Sequence, residues 1–154
     1  PARPELPDLE EGVIRGGYCL EAAVGEGPRI NLLGSGTILF EVMEAASRLR
    51  EEGFAVAVYS ITSYIELARD AEQAADSKVA SWVSQLFPES NVPTVAASDY
   101  VRTLPRMIAS WLPGPLMALG TDGFGMSERR EALRAHFRID AHAIADTARA
   151  MVND

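Results

Sequence analysis

The stretch that leaves this chain least freedom begins at Arg29. An apolar run over 29–33 ends in Gly34-Ser35-Gly36, a helical pattern follows over 37–52, Gly53 stops it, and Phe54-Ala55-Val56-Ala57-Val58-Tyr59 forms a second apolar run. Ile38, Leu39, Val42, Met43, Ala46 and Leu49 share one helical face, with Glu41, Glu44, Arg48, Glu51 and Glu52 on the other. The 54–59 run lacks polar alternation, which suits a strand covered on both faces of a parallel sheet. Strand, helix and strand in one short stretch make a βαβ unit, expected to be right-handed.

The rest of the chain repeats that grammar. Thr62 or Ser63 is placed to cap a helix starting at Tyr64 and carrying Ile65, Leu67, Ala68 and Ala71. Asp76-Ser77-Lys78 interrupts it, and Val79, Trp82, Val83 and Leu86 continue as a shorter helix ended by Pro88. A third strand is expected over 92–97. Ser98-Asp99 is then read as the cap of a helix with Val101, Leu104, Ile108 and Trp111, in which Pro105 should force a kink or a restart. A fourth strand is expected over 115–119, a helix over 128–137 and a last helix capped by Asp140. Upstream, 12–23 reads as an edge strand or hairpin arm, and the Pro-rich acidic stretch 1–11 as a linker to a domain over 12–154. These readings together predict a three-layer α/β/α domain with a mainly parallel sheet of about five strands.

Composition narrows the functional classes. A net charge of −8 on 154 residues gives an acidic surface that repels nucleic acid and anionic membranes, and no basic cluster offsets it. Cys19 is the only cysteine, which excludes an intrachain disulfide and fits a reducing compartment. No apolar run approaches the ~20 residues of a membrane-spanning helix. The start, without Met and in a Pro-rich acidic lead, reads as a cut from a longer chain or a processed end, and a cytoplasmic location is expected.

Chemistry-bearing patterns are sparse. Gly34-Ser35-Gly36 sits at a strand-to-helix turn, but Leu39 stands where a dinucleotide fingerprint needs its third glycine, and no Gly-Lys-Thr follows. It reads mainly as a tight turn with a helix cap. Ser35, Ser60, Ser63 and Ser98 lack a Gly-x-Ser-x-Gly setting, and the only imidazoles, His136 and His142, lie in the last two helices. Glu66 and Asp70 with Arg69 read as a solvated face with local ion pairs. Trp82 and Trp111 read as core or interface aromatics.

The likeliest functional surface is the loop Gly120-Thr121-Asp122-Gly123-Phe124-Gly125, with Ser127 and Arg130 behind it. Three glycines free its backbone, Asp122 is its only carboxylate and Phe124 its only large apolar side chain. Open α/β sheets place ligands or partners at such strand-to-helix crossovers. Asp122 serves either its own turn or a cation on a partner.

The blocks Leu32-Leu33-Gly34-Ser35-Gly36, Tyr59-Ser60-Ile61-Thr62-Ser63, Glu66-Leu67-Ala68-Arg69-Asp70, Ala97-Ser98-Asp99-Tyr100 and the 119–125 loop together resemble the C-terminal, transketolase C-terminal-like domain of the homodimeric type of pyruvate dehydrogenase decarboxylating component. The resemblance runs over about 12–152. It departs at 71–78, short and Ala-rich where relatives carry Trp and basic residues, and at Met126, where many carry Arg.

The resemblance implies a thiamine-diphosphate- and Mg-dependent enzyme of glycolytic carbon flow, which decarboxylates pyruvate oxidatively and passes the acetyl group to lipoyl groups. Other domains would hold the cofactor. This chain alone would carry no catalytic, cofactor-binding or metal residues and would serve assembly of a homodimer that works with a lipoyl acyltransferase component. The rim residues expected to face those partners are Gly34, Ser35, Gly36, Ser63, Asp99, Gly120, Asp122, Gly123, Phe124, Gly125 and Arg130. The alternatives are a free-standing protein-interaction or small-anion-binding module, and a domain of another transketolase-like enzyme.

Overall fold

A computed structural model describes residues 9–98, 102–120 and 139–153. The expected βαβ unit is present as β2 (Arg29–Gly34), a 3-10 turn (Gly36–Ile38), α2 (Leu39–Glu51) and β3 (Ala55–Ile61). β2 and β3 run parallel in register from Arg29 opposite Ala55 to Gly34 opposite Ser60. Before them come α1 (Leu9–Arg15) and β1 (Gly17–Glu21). After them come α3 (Tyr64–Ser77), α4 (Trp82–Leu86), β4 (Thr94–Ala97), α5 (Thr103–Arg106), a 3-10 turn (Ala109–Trp111), β5 (Leu116–Leu119) and α6 (Ala141–Asn153).

The five strands form one sheet in the order β1-β3-β2-β4-β5. β1 pairs antiparallel with β3, and the other neighbours are parallel. Strand β2 sends its chain to β3 on one side, whereas β4 lies on its other side, so the sheet reverses its order between β2 and β4. In open α/β sheets that reversal opens a crevice at the carboxyl ends of the strands. Those ends are level here, because Gly34 pairs with both Ser60 and Ala97, and Ala97 pairs with Leu119.

Side chains alternate along the central strands and feed two cores. Ile30, Leu32, Val56, Val58, Val95 and Ala97 pack with Val42, Ala46 and Leu49 of α2 and with Ile144 and Ala148 of α6. Leu33, Ala57, Tyr59, Ile61 and Ala96 pack on the other face with Leu67 and Ala68 of α3, Trp82 and Val83 of α4, Phe87 and Ile108. Each large aliphatic side chain sealed in this way contributes about 1.5–3 kcal/mol. The three-layer α/β/α expectation holds.

Local differences have identifiable causes. Within 12–23 the expected edge strand is present as β1, but the first part of the stretch is helical, and α1 begins at Leu9, inside the stretch read as a linker, with Leu9 and Gly12 buried. The short period of 9–15 was masked by Gly12 and the acids, and tertiary contact decides its state. The helix read across 98–111 is split around Pro105 into α5 and a 3-10 turn, and its cap reading at Asp99 lies outside the described residues. Val79 does not belong to α4. Lys78 adopts a left-handed φ of 60°, α4 starts only at the Ser81 cap, and Val79 is left exposed. Caps at Ser63 and Asp140 form as read, through Glu66 N–H to Ser63 Oγ at 3.1 Å and Ala143 N–H to Asp140 Oδ1 at 2.9 Å.

Candidate functional site

The carboxyl rim gathers Gly34, Ser35 and Gly36 after β2, Ser63 after β3 and Gly120 after β5. Asp99, Asp122, Gly123, Phe124, Gly125 and Arg130 lie outside the described residues, as do Met126 and His136. Gly34 is a place of close approach: a Cβ there would sit 2.9 Å from the Val42 side chain and 3.1 Å from Leu39 Cα. This lets α2 start directly against the strand end. Its first turn is the 3-10 segment, and Ser35, extended in its backbone, makes no side-chain cap bond.

A cleft of about 210 Å³ opens at this rim, lined by Ser35, Ile61, Thr62, Ser63, Tyr64, Ile65 and Leu104. Among the described residues no carboxylate, imidazole, amine or thiol lines it. Ser35 and Tyr64 are both buried, and their hydroxyls, sealed from solvent, make no well-formed hydrogen bond. Burial pushes the Tyr64 phenol well above its ordinary range, partly offset by the neighbouring Ser35 side chain. At the same rim stand two large apolar side chains in contact with water, Phe40 in the first turn of α2 (58% exposed) and, lining the cleft, Ile65 in the first turn of α3 (50% exposed).

The floor of the rim is held by the lead-in segment. Gly16 has φ +112° and its carbonyl accepts the N–H groups of Thr62 at 2.9 Å and Ser63 at 3.1 Å. A Cβ at that position would fall 2.5 Å from the Ser63 carbonyl oxygen. Thr62 Oγ1 donates to the Val13 carbonyl at 2.7 Å. Just behind, Arg15 donates to Asp70 Oδ1 at 2.8 Å and lies 4.6 Å over the Trp82 ring. The Trp82 backbone N–H donates to Asp70 Oδ2 at 2.6 Å, and its indole N–H to the Gly17 carbonyl at 2.8 Å.

The reading of Glu66 and Asp70 as one solvated face therefore holds only for Glu66, which pairs with Arg69 at 2.7 Å. Asp70 is turned inward and joins α1 to α4. Sequence gave no separate signal for it, because its partners lie 55 and 12 residues away. Phe40 was not singled out from sequence; it stands outside the apolar set of α2 and faces solvent. Ile65, counted with the apolar residues of α3, instead faces solvent at the rim. Trp82 is a core aromatic and Trp111 lies half-buried at the edge of the same core. His142 is exposed, as its place in the first turn of α6 suggested. Among the described residues no group of three or more His, Cys, Asp and Glu could hold a metal ion.

Comparison with known proteins places this geometry. Residues 16–140 match the family model of the transketolase-like TK C-terminal domain. The chain is 37% identical over 158 aligned residues to the pyruvate dehydrogenase E1 component of Escherichia coli K12, covering 96% of this chain and 17% of that protein. It is 39% identical over 154 residues to the one from Corynebacterium glutamicum, covering 94% and 16%. The chain thus spans about a sixth of the length of these relatives. Transketolase from Leishmania mexicana superposes with a TM-score of 0.66 at 22% identity over 93% of this chain and 19% of that one. The protein described as "Split gene transketolase, inactive beta4 tetramer" superposes with a TM-score of 0.58 at 18% identity, over 89% of this chain and 42% of that chain. By sequence and by fold, the chain belongs to the transketolase-like TK C-terminal domain family.

Proposed function

We propose that this chain is the C-terminal assembly domain of a thiamine-diphosphate-dependent pyruvate dehydrogenase. The whole enzyme decarboxylates pyruvate oxidatively and transfers the acetyl group to lipoyl groups of an acyltransferase component, as a cytoplasmic homodimer in glycolytic carbon flow. The names of its relatives support the activity. The observation that carries the domain's own role is the rim: Phe40 and Ile65 stand exposed in the first turns of α2 and α3, and the cleft that Ile65 lines has no ionised group among its described lining residues. Apolar side chains at a strand-end crevice favour burial against protein. Gly34, Ser35, Gly36, Ser63 and Gly120 belong to that covered surface, and Asp99, Asp122, Gly123, Phe124, Gly125 and Arg130 are assigned to it from sequence.

The cleft formed by the described residues does not fit thiamine diphosphate with Mg. A diphosphate–Mg group needs oxygen ligands with negative charge, and among the described residues the cleft lining offers hydroxyls and aliphatic groups. The cofactor is accordingly assigned to other domains, and no catalytic step to these residues. The transketolase chain described as an inactive tetramer, 42% of which this domain matches, is consistent with such a division. Calorimetric titration of the 154-residue chain with thiamine diphosphate and Mg²⁺ should give no micromolar binding. Micromolar affinity would overturn the assignment.

A further inference from the structure

The opposite end of the sheet carries a second cleft, of about 210 Å³, at the amino ends of β2, β3 and β4 on the α4 side. Its lining includes Asn31, which is only 8% exposed. Asn31 occupies the middle of β2, between β3 and β4, with Ala57 and Thr94 as its cross-strand neighbours. Its backbone N–H is satisfied by the Pro93 carbonyl at 3.0 Å, but its side-chain amide makes no hydrogen bond among the described residues. The adjacent Thr94 hydroxyl is fully buried and makes none either. An amide presents two donors and one acceptor, and at the cleft wall those of Asn31 are open to whatever occupies the space in front of it.

The surroundings define what could do so. One wall is aromatic: Tyr59 and Phe87 lie with ring centroids 4.5 Å apart, and the Tyr59 hydroxyl is already spent on the Leu86 carbonyl at 3.0 Å. The rest of the lining includes alanines and the half-buried Cys19, the cross-strand neighbour of Tyr59, whose thiol is pushed up by burial and so stays neutral. At the mouth, Arg29 and Glu89 form an ion pair at 3.2 Å, which cancels the pull on either sign of charge. The volume corresponds to about seven water molecules in the liquid, or to one ring with a short polar head.

The geometry points to a binding site for a small, neutral, flat molecule with an apolar body and a carboxamide-type head. The head's acceptor and donor meet the Asn31 amide, and the body lies on the alanines beside the Tyr59–Phe87 pair. The cleft lies at the opposite end of the strands from the rim assigned to assembly. The site does not depend on the assembly reading and stands or falls separately.

Cys19 is the only thiol in the 154 residues and lines the cleft, so its labelling reports occupancy. Benzamide and ethylbenzene serve as probes of equal size, with and without the polar head. At ten times its dissociation constant, benzamide should slow N-ethylmaleimide labelling of Cys19 about tenfold. Asn31→Val should weaken benzamide about tenfold while leaving ethylbenzene unchanged. Ala22→Trp, an exposed change at the mouth, should abolish saturation-transfer NMR signals from both probes without touching the core. Equal protection by the two probes in the wild-type chain, or benzamide binding unchanged in Asn31→Val, would overturn the site. So would crystals soaked in benzamide that show only water at Asn31.

Discussion

The two faces of the sheet are built from the same strands and differ in kind. The face under α2 and α6 is aliphatic, from Ile30, Leu32, Val56, Val58 and Val95 to Leu49 and Ile144, with no unpaired polar side chain among its described residues. The face under α3 and α4 carries Tyr59, Tyr64, Trp82 and Phe87, together with Asn31, Thr94 and Ser35. Both clefts and the buried hydroxyls of Tyr64, Ser35 and Thr94 lie on or beside this second face. Dry aliphatic packing contributes burial energy with nothing left unsatisfied. Aromatic packing with unspent polar groups gives up some of that energy and leaves shaped, hydrogen-bonding surface. One face holds the fold; the other is where binding features collect.

Substitutions should separate the two. Leu49→Ala, in the sealed aliphatic layer, should lower the unfolding free energy by about 2–5 kcal/mol in urea titration, with both clefts unchanged. Asp70→Ala should cost less, about 1.5–3 kcal/mol, because it removes charged hydrogen bonds to Arg15 and to the Trp82 N–H that are partly solvent-screened. That change should also speed proteolysis within 9–16, which Leu49→Ala should not do selectively. Asn31→Val should act in the opposite direction and raise stability by about 1 kcal/mol, since it removes an amide with no partner. A loss on Asn31→Val would place that position with the structural face.

The smallest effect should come from alkali, and only from the aromatic face. Burial raises the folded pKa of Tyr59, Tyr64 and Cys19 above their unfolded values. Stability from such groups is complete below the unfolded pKa and declines as pH rises toward the folded one. The chain should therefore hold its melting temperature to about pH 8 and lose a few tenths of a kcal/mol per tyrosine near pH 10. Tyr64→Phe should blunt the alkaline loss, as followed by circular dichroism.

Much of the fold was legible because its elements are locally consistent. The 29–59 stretch carries its periods, its glycine stop and its strand composition together, and β2, α2 and β3 fall where those signals put them. The Ser63 and Asp140 caps were readable for the same reason. Legibility failed where long-range contacts decide. α1 is held by Arg15 to Asp70 and Thr62 to Val13, contacts that no local pattern announces. Of the rim, Gly34, Ser35, Gly36 and Ser63 were found from the turn chemistry. Tyr64 and Leu104 were missed as cleft residues because a helical pattern reports which side of a helix is apolar, and not which end of the sheet it caps. Asn31 was missed because one polar residue in an apolar run reads as noise until its neighbours are known.

The central claim is that protein covers the carboxyl rim. Hydrogen exchange read by mass spectrometry, on the 154-residue chain and on the full-length protein that carries it, tests this directly. Amides over 35–40 and 61–65 should exchange at least about tenfold more slowly in the full-length assembly, while those over 29–31 and 55–57 stay unchanged. Identical exchange at 35–40 and 61–65 in the two samples would contradict the account.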